Sequence, residues 1–307
     1  MTRSMLSCTA FGCCRATALV ACVVSMLGAC ANTGTAPSAT SGAAPISKER
    51  IAEILASPDR RAADRINDVR RKPDQMLAFI GVRPGMIAVD LSTGGGYTTE
   101  LLARAVGPTG RVYGQSAPRD PDRVPPAPAA PEGAATPPPS AAPAPAAGAS
   151  PPAARPGGPP NSALALAERA KNPAAGNIVS AVRKFEDPVP PEVASNGLDL
   201  VTLMFNYHDL GFMGVDRAQM NKAVFTALKR GGMYVIADHS GRPGTGISES
   251  GTLHRIEEAF LRSEVEAAGF VLMAEDNFMR NPADPRDKNT PDPPQPKDEF
   301  VLKFVRP

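Results

Sequence analysis

Six stretches of mainly apolar residues, most of them bounded by glycine or polar residues, predict the strands of a sheet. They lie at residues 86–91, 111–114, 198–205, 233–237, 270–275 and 300–304. Continuous apolar runs of this length are typical of strands that are buried on both faces. A further segment, residues 177–182, is too polar to assign.

Apolar residues at helical spacing separate these strands. The predicted helices begin at Ser47 and at Ser57-Pro58 and otherwise cover 74–80, 101–106, 162–171, 216–228 and 252–268. Since helices and strands alternate, we expect an α/β domain.

The second of these helices has a clear apolar stripe. Its apolar residues are expected to face the core: Ala62, Ile66 and Val69. Its charged residues are expected to face solvent: Arg60, Arg61, Asp64, Arg65, Asp68 and Arg71. The run Arg70-Arg71-Lys72 at its end is interpreted as a solvated surface, with closure over a ligand as the alternative.

The strand at 86–91 leads into Ser92-Thr93-Gly94-Gly95-Gly96 and then into a helix. Glycine permits a sharp turn and leaves no Cβ to block a ligand. In α/β sheets, such a turn at the carboxyl end of a strand is a binding position. A dinucleotide fingerprint would need glycine at Thr99, and a phosphate loop would need a lysine. The turn therefore favours another small molecule, and the alternative is a tight turn without a ligand.

This turn resembles the first motif of class I S-adenosylmethionine-dependent methyltransferases, acid-x-Gly-x-Gly-x-Gly. Asp90, Ser92, Gly94 and Gly96 stand at its fixed positions. The resemblance implies S-adenosylmethionine as cofactor and a doubly wound, Rossmann-like α/β sheet of about seven strands. Helices on both faces and a C-terminal antiparallel hairpin are implied as well. In that family the loop, which here includes Gly95, passes under the methionine half of the cofactor, and the acid binds its ammonium side.

Later motifs extend the resemblance over about residues 74–307, apart from one insertion. Leu-Lys-Arg-Gly-Gly at 228–232 precedes a strand that ends in Asp-His at 238–239, and Asn-Tyr-His-Asp follows the fourth strand at 206–209. In these motifs the chain is similar to a group of predicted bacterial methyltransferases.

The resemblance also suggests which residues contact the nucleoside. Gln115 stands where the family has an acid that grips the ribose hydroxyls, and its amide can bond a diol without charge assistance. Glu186 or Asp187, near the end of the third strand, is the candidate for the adenine amino group, with a surface turn as the alternative. Asn206, past the fourth strand, is also expected to contact the cofactor.

The three histidines of the chain are His208, His239 and His254, and they are expected near one edge of the sheet. Histidine titrates near neutrality and can remove a proton from a nucleophile. We expect His208 to be the general base, oriented by Asp209 or Asp238.

Other catalytic contributions are expected from the same edge. His239 is a second catalytic candidate, and Tyr207 or Phe205 is expected to face the sulfonium through cation–π attraction. Two alternatives remain for His208 and His239: hydrogen bonds that tie loops to the sheet edge, or a divalent metal held together with Asp209 and Asp238. No metal-binding motif is present in the sequence.

The first 29 residues predict an export signal. Arg3 and Arg15 form a positive region, and the apolar stretch 16–29 is too short to span a bilayer. It runs into Cys30 through Leu-Gly-Ala, which resembles a bacterial lipobox, so Cys30 is the expected site of lipidation. The residue after it, Ala31, by the same resemblance suggests the outer membrane, facing the periplasm. An ordinary secretory signal and an uncleaved anchor are the alternatives.

The charge of the chain bears on its partners. The formal net charge is +2, and loss of the signal removes two arginines and no acid, which leaves about zero. This balance argues against nucleic acid as a partner. A small-molecule substrate is expected, and the lipid anchor is the only expected contact with a membrane.

Two segments of low complexity flank and interrupt the predicted domain at 47–307. Residues 30–46 are interpreted as a flexible tether, and the Pro/Ala-rich residues 117–160 as a disordered insertion.

We predict a methyltransferase acting on a small or envelope-associated substrate. Since the donor is a cytoplasmic metabolite, the alternative is an exported, non-catalytic ligand-binding lipoprotein that retains the fold.

Overall fold

Seven strands form one mixed sheet in the computed structural model, which describes residues 43–118, 161–289, 291 and 295–307. In chain order they are β1 (Ile87–Leu91), β2 (Arg111–Ser116), β3 (Ile178–Val182), β4 (Leu198–Met204), β5 (Leu228–His239), β6 (Val271–Asp276) and β7 (Glu299–Val305). The six strands expected from apolar runs are all present. The seventh, β3, occupies the segment that was too polar to assign.

The strand order across the sheet is β3-β2-β1-β4-β5-β7-β6. Strands β1 to β5 are parallel, and β7 runs antiparallel to both β5 and β6. From β1 the chain moves outward to β2 and β3 and then returns to place β4 on the other side of β1. This reversal opens a crevice at the carboxyl ends of β1 and β4. The expected seven-stranded sheet with a C-terminal antiparallel pair is confirmed.

Eight α-helices cover the sheet in the described part of the chain. They are α1 (Lys48–Ala56), α2 (Ala62–Arg71), α3 (Pro73–Ile80), α4 (Tyr97–Val106), α5 (Ser162–Ala170), α6 (Tyr207–Phe212), α7 (Arg217–Ala227) and α8 (Glu258–Ala267). The first begins as expected, because the Ser47 side chain accepts a hydrogen bond from the backbone N–H of Arg50.

Each face of the sheet has its own hydrophobic core. Successive strand residues point to opposite faces, so Ala88 belongs to one core and Val89 to the other. The first core packs against α1, α3, α4 and α5, and the second against α6, α7 and α8. The expectation of helices on both faces is therefore confirmed.

The orientation predicted for α2 is wrong. Ile66 and Val69 are 76% and 83% exposed, whereas Arg60 and Asp64 are buried. The reason is electrostatic: Arg60 Nη1 lies 2.7 Å from an Asp68 carboxylate oxygen, and Asp64 pairs with an arginine from α5. Helix α2 thus turns its charged face toward the protein.

The predicted long helix at 252–268 is also wrong at its beginning. Helix α8 starts at Glu258, and the preceding residues form turns. Ile256 instead makes a parallel bridge to Ser240, and His254 has a φ of +51°. This single bridge places Ile256 beside Ser240, directly after the end of β5.

Several expectations concern residues outside the described ranges. They concern the signal, Cys30, most of the tether and residues 119–160 of the insertion. The described part of the tether covers residues 43–46, where the Ile46 N–H donates to the Val82 carbonyl. Among the described residues, no helix has the length and apolarity needed to span a membrane.

Candidate active site

The glycine turn between β1 and α4 has a left-handed backbone at three positions. The φ angles are +54° at Ser92, +53° at Gly94 and +80° at Gly96. Glycine is favoured in this region, and serine there carries a cost in free energy. The Ser92 N–H donates to Gln115 Oε1 at 3.0 Å, and its hydroxyl donates to Asn206 Oδ1, so neighbouring strands hold the strained residue in place.

This turn forms one wall of a crevice of about 370 Å³, a volume suited to a small molecule. The other walls come from α2, the start of α4, α5 and the end of β4. Its lining residues are Asp64, Asn67, Arg71, Asp90, Leu91, Ser92, Thr93, Gly94, Gly95, Tyr97, Thr98, Arg169, Met204, Phe205 and Asn206. Five of the expected cofactor-binding residues line it: Asp90, Ser92, Gly94, Gly95 and Asn206.

Gly96 lies behind the turn rather than in the crevice lining. A Cβ at this position would lie 2.8 Å from carbon atoms of both Arg169 and Leu166. Glycine is therefore required here both by the positive φ and by the close approach of α5.

A buried ion network closes the crevice on the α5 side. Arg169 Nη1 lies 2.6 Å from Asp64 and also pairs with Glu100, and its Nε donates to the Gly95 carbonyl at 2.6 Å. All three charged side chains are less than a tenth exposed. The network fixes α2, α4 and α5 around the glycine turn.

Arg71 brings a positive charge without a partner into the crevice. In the described part of the chain, no group forms a hydrogen bond or ion pair with its guanidinium, which stacks 4.2 Å from the Phe205 ring centroid. Burial and the nearby Arg70 lower the pKa of Arg71 to about 10, so it stays protonated at neutral pH. Its polar atoms are available to an anionic ligand, contrary to the expectation of a solvated surface.

Asp90 supplies the opposite charge at the end of β1. Its carboxylate is 2% exposed and accepts hydrogen bonds from Thr99 at 2.6 Å and Thr202 at 2.7 Å. Burial raises the pKa of Asp90 to about 6, and the two hydroxyls oppose that shift. The group is therefore mostly ionised at neutral pH, and its oxygens keep further acceptor capacity.

A larger cavity of about 570 Å³ lies at the opposite edge of the sheet, beside the start of β2 and the residues before β3. Its most buried charge, Arg104, is already paired with Asp59 and Glu100. Ligand sites in such sheets lie at the carboxyl ends of strands. We therefore take the crevice beside the glycine turn as the candidate ligand site, although its volume is smaller than that of this cavity.

Three residues expected at the nucleoside lie outside the crevice lining. Gln115 is fully buried, accepts the Ser92 N–H and donates to the Arg183 carbonyl at 2.7 Å. Asp187 is exposed and pairs with Arg183, and Glu186 accepts from the Asp216 N–H at 3.4 Å. Gln115 thus supports the glycine turn, and contacts of all three residues with a nucleoside stay predictions.

The expectation that Tyr207 faces the ligand is wrong. Its side chain is fully buried in the core on the other face of the sheet, where its hydroxyl donates to Glu264 and accepts from Asn221. Phe205 does line the crevice, with its ring beneath Arg71.

Removing the Tyr207 hydroxyl is expected to lower the free energy of unfolding. Tyr207→Phe leaves the buried Asn221 amide without its acceptor, which costs about 1–3 kcal/mol, and removes one hydrogen bond from Glu264, which keeps its ion pair with Arg217. Tyr234→Phe is the matched control, because the Tyr234 hydroxyl is buried without a hydrogen-bond partner among the described residues. Urea unfolding followed by circular dichroism should show loss in the first variant and none in the second. Equal losses would contradict these assignments.

His208 lies between two carboxylates beside the crevice. Its Nδ1 is 2.6 Å from Asp238 Oδ1, and its Nε2 is 3.1 Å from Asp209 Oδ1. Burial works to lower the pKa of His208, but the two aspartates outweigh it and raise the pKa to about 9. An imidazolium with both nitrogens engaged has no lone pair to accept a proton. This geometry argues against the general-base role expected for His208.

The other two histidines surround it. The His239 ring centroid is 5.3 Å from that of His208, and burial lowers the pKa of His239 well below its ordinary value. Its Nδ1 lies 2.9 Å from Glu299, although the angle is too poor for a hydrogen bond. His254 Nδ1 lies 2.8 Å from Asp209 Oδ1. The expectation that the three histidines share one edge of the sheet is confirmed.

No protein-family model and no curated protein sequence matches this chain. Solved structures do resemble it. A SAM-dependent methyltransferase from Aquifex aeolicus is 15% identical, and the alignment covers 85% of this chain and 100% of the other, with a TM-score of 0.50. An arsenic(III) S-adenosylmethionine methyltransferase from Chlamydomonas reinhardtii is 13% identical over 83% and 72% of the two chains, with a TM-score of 0.48. A geranyl diphosphate C-methyltransferase from Streptomyces coelicolor is 14% identical over 87% and 90%, with a TM-score of 0.47. The first likeness and the strand order show that this chain has the class I methyltransferase fold.

Proposed function

We propose that the protein is an S-adenosylmethionine-dependent methyltransferase that acts on a small or envelope-associated acceptor. The observation that carries the proposal is the presence of Asp90 and the unpaired Arg71 in one crevice beside the glycine turn. A buried carboxylate and a free guanidinium match the ammonium and carboxylate groups of the cofactor's amino-acid tail.

The remaining lining fits the same cofactor. Gly94 and Gly95 present backbone without a Cβ, so a ligand can lie directly against the turn. Methyl transfer depends mainly on aligning the nucleophile, the methyl group and the leaving sulfur. Asn206, at the end of β4, is the polar residue of the lining placed to orient an acceptor, and we assign no proton transfer to His208.

Location is a further part of the proposal. We propose that the protein is exported and lipidated on Cys30, with the membrane contact made by that anchor. The support is the sequence of residues 1–30, with its positive region, apolar stretch and small residues before Cys30. Fractionation should find the wild type with the membranes and Cys30→Ala in the soluble fraction, and equal distributions would contradict lipidation.

Calorimetric titration of the purified chain with S-adenosylhomocysteine tests the proposed cofactor. We expect one site with a dissociation constant in the micromolar range, and weaker binding by Gly95→Val, whose side chain would project from the turn. Gly176→Val is the control, because Gly176 lies outside the crevice, has a φ of −65° and leaves room for a Cβ. Absence of binding at millimolar ligand would contradict the proposal.

A further inference from the structure

One cluster of side chains beside the crevice has the composition of a metal site. Within the described ranges, His208, Asp209 and His254 each offer one ligand atom, and these atoms all lie within 4.8 Å of one another. We propose that they bind a divalent transition-metal ion through His208 Nε2, an Asp209 carboxylate oxygen and His254 Nδ1.

The distances suit this coordination. Donors that bind at about 2.1 Å and at right angles to each other lie about 3.0 Å apart. Asp209 Oδ1 is 3.1 Å from His208 Nε2 and 2.8 Å from His254 Nδ1. Two histidines and one carboxylate on one face of an octahedron leave the opposite positions open, as in sites that bind divalent iron.

A bound ion would replace the proton on His208 Nε2, and the surrounding groups hold the ligand atoms in place for it. Asp238 Oδ1 lies 2.6 Å from His208 Nδ1, which places a proton on Nδ1 and directs Nε2 outward. Asn206 Nδ2 donates to Asp209 Oδ2 at 2.7 Å, so the other oxygen is left for the ion. Carboxylate and amide partners of this kind orient the ligands of known metal sites.

Asp238 is itself fixed by the backbone. Its Oδ2 accepts the His208 N–H at 2.8 Å, and its Oδ1 accepts the His239 N–H at 2.8 Å. The partner of His208 is therefore held rigidly at the end of β5.

The cluster is open on one side and strained there. The His254 side chain is 38% exposed, which gives an ion a route of entry, whereas His208 is buried. The φ of +51° at His254 is costly for a residue other than glycine, and such strain persists where the surroundings fix it. In this backbone conformation, His254 Nδ1 lies 2.8 Å from Asp209 Oδ1.

The position of the cluster suggests what the ion does. Asn206 both lines the crevice and holds Asp209, so an ion at Asp209 lies beside the acceptor end of the crevice. Its open positions would bind an acceptor hydroxyl and lower its pKa, so that its proton passes to solvent water. The resulting oxyanion would form a bond to the methyl carbon as the bond from that carbon to the sulfonium sulfur breaks, which releases S-adenosylhomocysteine. This last step rests on the proposed methyl transfer, whereas binding of the ion does not.

Titration of the full-length chain with Co²⁺ alone tests the site. The five cysteines are alkylated first so that thiols do not compete. We expect one equivalent to bind with micromolar or better affinity, with a visible absorption spectrum of imidazole and oxygen ligands. His254→Ala and Asp209→Asn should each weaken binding by more than about a hundredfold. His239→Gln is the matched control and should change affinity less than about threefold, because His239 is not among the three ligands.

No binding at millimolar Co²⁺, or equal binding by wild type and His254→Ala, would overturn the proposal. Circular dichroism checks the folding of each variant. If Asp209→Asn fails to fold, the Co²⁺ affinity of His254→Ala, which changes a partly exposed side chain, is compared with that of the wild type. S-adenosylhomocysteine binding is measured on the same samples. If the wild-type protein binds S-adenosylhomocysteine but not Co²⁺, only the metal site is refuted. If it binds Co²⁺ but not S-adenosylhomocysteine, only the proposed cofactor is refuted.

Discussion

Replacing Arg169 with methionine is expected to lower the free energy of unfolding by about 3–5 kcal/mol. The substitution leaves the buried Asp64 without an ion-pair partner among the described residues and removes the hydrogen bond to the Gly95 carbonyl, whereas Glu100 keeps its pair with Arg104. Breaking a buried ion pair on one side is costly because the remaining charge is left uncompensated. Urea unfolding monitored by circular dichroism measures the loss.

Lys171→Met is the matched control for this prediction. Lys171 follows α5 and pairs with Glu168, but both side chains are more than half exposed. An exposed pair contributes at most about 1 kcal/mol, so the control should change stability little. A loss below about 1 kcal/mol in Arg169→Met, comparable with the control, would show that the network does not hold α2, α4 and α5 together.

Replacing Arg71 with methionine is expected to weaken S-adenosylhomocysteine binding by about 3 kcal/mol, roughly two orders of magnitude. The substitution keeps much of the apolar stem that packs on Phe205 but removes the proposed partner of the ligand carboxylate. Arg70→Met is the control, since Arg70 already pairs with Glu299 at 2.8 Å and does not line the crevice. Calorimetric titration measures both affinities.

A truncated ligand separates this role from a general effect on the crevice. Methylthioadenosine has the nucleoside and sulfur but lacks the amino-acid tail, so its affinity should be equal in wild type and Arg71→Met. Equal weakening of both ligands would mean that Arg71 shapes the crevice rather than binding the carboxylate.

The elements that could be predicted from the sequence are those that depend on local patterns. Buried strands are encoded by continuous apolar runs, and the turn at Gly94–Gly96 by residues that tolerate a left-handed backbone. The helix at Lys48 begins where Ser47 can cap it. These features depend on neighbours a few residues away, and each is present in the structure.

The residues that were missed depend on distant partners. Asp64 is buried because Arg169, 105 residues later, pairs with it, and no periodic pattern in α2 indicates this. The apolar stripe of Ile66 and Val69 pointed to the wrong face for the same reason. Arg71, the unpaired cation of the crevice, was assigned to a solvated surface as a consequence.

The error at Tyr207 has a local geometric cause. In a continuing strand, Phe205 and Tyr207 would point to the same face. The φ of +61° at Phe205 and the start of α6 at Tyr207 break this alternation. Phe205 consequently lines the crevice, whereas Tyr207 enters the opposite core.

A crystal structure of the chain with S-adenosylhomocysteine is the most direct test of the proposed site. We predict electron density across the carboxyl ends of β1 and β4, with the ligand carboxylate on Arg71, the ammonium group toward Asp90 and the tail against Gly94 and Gly95. Ligand density in the larger cavity at the opposite edge of the sheet, or a crevice filled by Arg71 itself at saturating ligand, would contradict it.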